Sequence, residues 1–202
     1  MAVFSYRTIQ SPAEGHFKDK GSRFLAFAYP VSSESEIKDR LKEIKKKYYD
    51  ARHHGYAFIL GPEKKQYRAF DDGEPSHSTG DPILGQIRSK DLTDILIIVV
   101  RYFGGVKLGV SGLISAYKAA AADALAHAVL VEKEVTSTLE LEFDFAATPG
   151  VMKLIKEFDL VILSQDYADT SRMKLQARLR VEPQVRAKLE LLKATGTQVF
   201  LR

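Results

Sequence analysis

The stretch Arg101-Tyr102-Phe103-Gly104-Gly105-Val106-Lys107-Leu108-Gly109, followed by Ser111 and Gly112, brings together a guanidinium, two aromatic rings, an ammonium and a hydroxyl among glycines. Glycine lets backbone N–H groups approach an anion closely, and a turn of this kind that opens a helix sets them at the positive end of the helix dipole. Arg101, Gly104, Gly105, Lys107 and Ser111 are therefore candidates for a phosphate or carboxylate cradle, with Tyr102 beside them. Tyr102 and Phe103 are of the type that stacks on unpaired bases. The spacing matches neither the Gly-Lys-Ser/Thr triplet of a P-loop nor the dinucleotide fingerprint. A structural account of the same residues stands beside the functional one. In it the glycines serve a tight turn with positive φ and close helix–sheet packing, the rings complete a core, and Arg101 pairs with an acid such as Asp72 or Glu74.

A second group is acidic. Asp71, Asp72 and Glu74, with His77 close behind, lie in a nearly apolar-free stretch from 71 to 81, where carboxylates at short spacing and an imidazole could serve acid/base work or ligation. Their spacing fits no ligand pattern, and acids that cap turns or pair with Arg101 or Lys107 are the alternative. Arg52, His53 and His54 form a further basic edge able to touch phosphate. The chain has no cysteine, which excludes disulfides, thiol nucleophiles, thiolate zinc sites and iron–sulfur clusters. No catalytic residue, no metal site and no cofactor is expected.

These residues need elements to hold them. Ala2 to Ile9 and the aromatic-rich Arg23 to Val31 read as strands separated by a polar stretch. Ser33 with Glu36 has capping-box spacing and opens a helix whose buried face is Ile37, Leu41, Ile44 and Tyr48. Tyr56 to Leu60 and Gln66 to Phe70 flank a hairpin loop, and Asp81-Pro82 reads as cap and first turn of a short helix to Arg88. The continuous apolar run Ile95 to Val100 is a central strand covered on both faces, and Leu113 to Val131 is a helix. The first domain, residues 1–135, is thus expected to be a mixed sheet with helices packed on it. Beyond it the pattern restarts: a strand Leu139 to Phe145, a helix from Thr148-Pro149, strands Leu160 to Tyr167 and Ser171 to Val181, a helix from Pro183 and a last strand Thr197 to Leu201. That order is βαββαβ, the split ferredoxin-like arrangement, over residues 136–202.

With 202 residues, 45% of them hydrophobic and 28% charged, the chain is long enough for two small cores and has no bias toward disorder. The longest apolar runs are too short to cross a bilayer, and the start MAVFSYRTIQ lacks the plan of a secretory signal, so a cytoplasmic location away from membranes is expected. The net charge is +4, and residues 136–202 hold ten Lys+Arg against nine Asp+Glu, so neither domain carries the dense basic stripe of a dedicated DNA binder.

Taken together, Gly21-Ser22-Arg23-Phe24, Ala51-Arg52-His53-His54, Asp71-Asp72-Gly73-Glu74-Pro75, Gly80 and above all Arg101-Tyr102-Phe103-Gly104-Gly105 with Lys107-Leu108-Gly109 and Gly112-Leu113 resemble the YigZ/IMPACT family. The resemblance covers residues 21–125. It implies an α/β (α+β) chain: an N-terminal domain of the ribosomal-protein-like fold shared by domain IV of elongation factor G and GHMP kinases, then a ferredoxin-like domain like domain V of that factor. It also implies a translation-linked binding protein rather than an enzyme, its partner RNA or the ribosome, or else a translation-regulatory protein. The competing reading is a phosphotransferase-like or hydrolytic enzyme with Asp72 or Glu74 as base. Two positions depart from the family: His77-Ser78-Thr79-Gly80 stands where Gly-Thr-Ala-Gly is usual, and Ser115 where an arginine is usual.

Overall fold

The computed structural model describes residues 2–167 and 170–202. The chain divides into two compact units. One runs from Tyr6 to Lys133; the other is Glu134 to Arg202, joined by the residues up to Ser5.

The first unit contains β1 (Ser5–Ile9), β2 (Ala13–Asp19), β3 (Ser22–Pro30), α1 (Glu34–Lys47), β4 (His53–Leu60), β5 (Gln66–Phe70), α2 (Gly80–Ser89), β6 (Ile95–Tyr102), α3 (Gly109–His127) and β7 (Leu130–Glu134). Five strands form one sheet in the order β2-β3-β6-β4-β5, and β1 pairs with β7 in a two-stranded ribbon. The sheet expected to be mixed is antiparallel in all four pairings. The apolar run does mark a central strand covered on both faces: β6 is the middle strand, and helices cover each side of it. Ile95, Ile97 and Val99 pack with Ile83 and Ile87 of α2 and with Ala116, Tyr117, Ala120 and Ala124 of α3. Leu96, Ile98 and Val100 pack with Ile37 and Ile44 of α1, alongside Phe27 and Phe58.

Local chemistry places these elements. Lys20 and Gly21 both have positive φ, 45° and 79°, as a two-residue hairpin joining β2 to β3 with matched twist requires. At the start of α1 the Glu36 N–H donates to Ser33 Oγ at 3.3 Å, while the Glu36 carboxylate accepts from the Ser32 N–H at 2.7 Å. The predicted cap of α2 is corrected: the helix begins at Gly80, before Asp81, because a distant residue caps it, as described below. α3 begins at the glycines, four residues ahead of Leu113, and gives way to β7 where its helix was expected to continue.

The second unit contains β8 (Thr136–Phe143), a short 3-10 turn, α4 (Thr148–Glu157), β9 (Val161–Tyr167), β10 (Ser171–Arg178), α5 (Glu182–Ala194) and β11 (Val199–Leu201). Its sheet has the order β11-β8-β10-β9, all pairings antiparallel, which is the order of a split βαβ. Leu139, Leu141, Phe143, Met173 and Leu175 face a core completed by Val151 and Leu154 of α4 and Val185 and Leu189 of α5. The alternation of apolar and polar residues along β8 and β10 is the pattern of a sheet with one covered face.

Candidate functional site

Arg101 lies near the end of β6, opposite Phe24 on β3 and His53 on β4. Its side chain is only 7% exposed, and its Nη1 donates to Glu74 Oε1 at 2.6 Å, Glu74 being 4% exposed. Tyr117 of α3, fully buried, donates its hydroxyl to the same oxygen at 2.9 Å. Burial first and the Glu74 carboxylate second push the Tyr117 phenol far above its usual range, so it remains a donor. Of the two acids weighed as partners for Arg101, Glu74 is the one it meets. Two rings, Phe24 and Phe103, each stand 5.6 Å from the guanidinium. Arg101 is thus a buried brace that ties the acidic loop to the sheet and α3, rather than a free cation.

The other acids of that loop have structural partners too. Asp71 accepts from the N–H groups of His77, Thr79 and Gly80 at 2.8–2.9 Å, and so supplies the cap at the start of α2. Asp72 accepts from the His54 N–H at 2.7 Å and stands 3.6 Å from Lys45, while its own carbonyl meets His53 Nδ1 at 3.0 Å. His77 is exposed, pairs with Asp81 at 2.6 Å and is raised above the usual imidazole range by that contact. Among the described residues no three His, Cys, Asp or Glu side chains come together as a metal would need.

The basic edge separates into unlike parts. His54 is buried, its Nε2 3.0 Å from the Tyr48 carbonyl, and desolvation lowers it below the usual imidazole range. Arg52 is exposed and His53 half-buried. These two line a groove of about 530 Å³ with Asp50, Ala51, Arg101, Tyr102 and Phe103. The Tyr102 hydroxyl donates to Asp50 at 2.7 Å, and the Arg23 guanidinium stacks on its ring at 4.9 Å. Phe103 is 55% exposed.

The glycine turn carries two different constraints. Gly104 lies against the β2–β3 hairpin: a Cβ there would stand 1.9 Å from the Gly21 carbonyl carbon, and its N–H donates to Ser22 Oγ at 3.1 Å. Gly105 has φ of +90° with open space beside it, so its requirement is conformational. Lys107 and Ser111 are both exposed, and the start of α3 has no side-chain cap and no acid in its first turn. The structure therefore divides the sequence-predicted set. Asp71, Asp72, Glu74, His54, Gly104 and Gly105 shape the framework, Arg101 braces it and reaches the groove, Arg52, His53, Tyr102 and Phe103 line the groove, and Lys107 and Ser111 lie at the head of α3. Sequence reasoning missed Arg23 and Asp50, which fix Tyr102, and Tyr117, whose hydroxyl end lay unmarked in an Ala-rich helix.

The model of the Impact N-terminal domain matches residues 20–125, which contain the groove, the acidic loop and the glycine turn. The chain belongs to the IMPACT family. Among its relatives, the family member YvyE of Bacillus subtilis is 31% identical over 167 residues, 83% of this chain and 77% of that one. The member YigZ of Escherichia coli is 31% identical over 150 residues, 73% of this chain and 74% of its own. A crystal structure of a hypothetical protein superimposes with a TM-score of 0.77 at 25% identity, covering 99% of this chain and 97% of that one, and so shares the two-domain α+β fold.

Proposed function

We propose that this chain is a binding protein of translation rather than an enzyme, and that it holds single-stranded RNA, free or ribosomal, in the groove beside β4 and β6. The observation that carries the reading is the exposed ring of Phe103 in one groove with the exposed Arg52 and with His53. Stacking on an aromatic face and cationic contact with phosphate are what an unpaired strand offers to such a surface. An enzymatic reading has less to draw on, because Asp71, Asp72 and Glu74 each have backbone or side-chain partners that define the loop. The outward face of the second unit suits RNA less well. Its basic residues already face acids across the strands, Arg172 with Glu142 at 3.4 Å and Lys174 with Glu140 at 2.9 Å. The link to translation rests on the family resemblance, and no helix among the described residues is long and apolar enough to cross a membrane.

Filter binding of a labelled twelve-residue oligouridine, titrated with salt, tests the reading. The expected log affinity falls linearly with log salt, and Arg52→Ala flattens the slope by about 0.7, the share of one phosphate that the guanidinium no longer neutralises. Phe103→Ala costs about 1–3 kcal/mol if the ring carries a base. Absence of binding at low salt, or an Arg52→Ala protein with unchanged affinity and slope, overturns it.

A further inference from the structure

From Ile95 to Ala122 the sequence contains no Asp or Glu. Its strand portion, Ile95 to Arg101, is buried, but its exposed part is unusual in composition. Val106 and Val110 are each 51% exposed and Ile114 is 37% exposed. Val110, Ile114 and Lys118 follow one another at intervals of one turn, so they share a face of α3, and Ser111 and Ser115 beside them are exposed and small. Lys107 sits just ahead of the helix and is also exposed. A solvated helix face ordinarily carries charges of both signs. This one presents Val110 and Ile114 between Lys107 and Lys118, with Val106 exposed just ahead of them, at a helix start whose dipole no acid offsets.

We propose that this face docks a protein segment that is both apolar and acidic, with apolar side chains laid on Val106, Val110 and Ile114 and carboxylates directed to Lys107, Lys118 and the N–H groups that open α3. The apolar residues select against RNA as the occupant, since a phosphate backbone gains nothing from three aliphatic side chains. The positive charge of Lys107, Lys118 and the helix start selects against a basic partner, because like charges across an interface raise its cost. The surface shares no residue with the lining of the Arg52–Phe103 groove, so it stands whether or not that groove binds RNA.

The full chain, isotopically labelled, would be titrated with a sixteen-residue amphipathic peptide that has leucines on one face and glutamates on the other. A second peptide with lysines in place of the glutamates serves as control. The expected result is amide shifts confined to residues 105–118, at least tenfold weaker binding of the lysine peptide, and no binding by Val110→Glu/Ile114→Glu. Both replaced residues are exposed, so that variant should keep the parent melting temperature and the parent oligouridine affinity. The proposal fails if the two peptides bind alike, if neither produces shifts at millimolar concentration, or if shifts map to other residues. It also fails if oligouridine moves 105–118 while the glutamate peptide does not, which would make the face a nucleic-acid surface.

Discussion

At the scale of single residues, the sequence showed which side chains were unusual but not which were buried. Arg101 illustrates the difference. A guanidinium beside aromatic residues and glycines looks the same on paper whether it grips a ligand or braces a loop; the deciding partner, Glu74, lies 27 residues away in the loop between β5 and α2, and only the fold brings the two together. Because both members of the pair are almost fully covered, Arg101→Ala leaves a buried carboxylate with its counter-charge gone and the Tyr117 hydroxyl still donating to it, and is expected to destabilise the fold by about 3–5 kcal/mol in urea unfolding. Replacing both, as Arg101→Met with Glu74→Leu, should cost markedly less than Arg101→Ala alone. Equal destabilisation by the two variants would show that the carboxylate left behind in Arg101→Ala carries no penalty of its own. His54 makes a prediction about pH. Its folded-state pKa lies below the ordinary value of 6.5, so the unfolded chain takes up the proton first as pH falls. Stability is then fully present above pH 6.5 and declines below it, until the folded imidazole itself titrates. Melting temperatures recorded from pH 7.5 downward should show that decline in the parent protein, and His54→Gln should flatten it; an undiminished decline in the variant would assign it elsewhere.

At the scale of elements, period and caps were legible wherever a segment had one buried face. α1, β8 and β10 were found because their apolar residues repeat at the helical or strand period. β2 was not, because AEGHFKD is a half-exposed edge strand with few apolar residues, and the clue lay instead in the Lys20-Gly21 turn that follows it. α2 shows another limit of local reading. Asp81-Pro82 has the form of a helix start, yet Asp71 accepts the N–H groups of Thr79 and Gly80, and the helix begins there. A cap nine residues upstream leaves no local sequence pattern. Asp71→Ala removes the acceptor of three N–H groups and should destabilise by about 1–2 kcal/mol. Hydrogen exchange should report the weakening first at residues 77–80, and unchanged protection there would contradict the assignment of the cap.

At the scale of the whole molecule, the two-unit α+β plan was readable from the restart of the strand pattern after residue 134, because each unit has its own apolar set. The antiparallel sense of the first sheet was not readable. A central strand covered on both faces has the same composition whichever way its neighbours run, and direction depends on connections that composition does not record. The seating of Gly104 bears on the order in which the molecule is completed, since that glycine rests on a hairpin tip 82 residues before it in the chain. The tip itself is local, and short loops close far sooner than long ones, so the Lys20-Gly21 turn exists before anything can be seated on it. Pulsed hydrogen exchange during refolding should protect the β2–β3 amides ahead of the Gly104 amide; simultaneous protection would argue against that sequence of events. A nascent chain that has emerged only as far as residue 104 already holds every residue that lines the groove but none of α3, so the groove's lining is made before the helix whose apolar face was proposed as a docking surface.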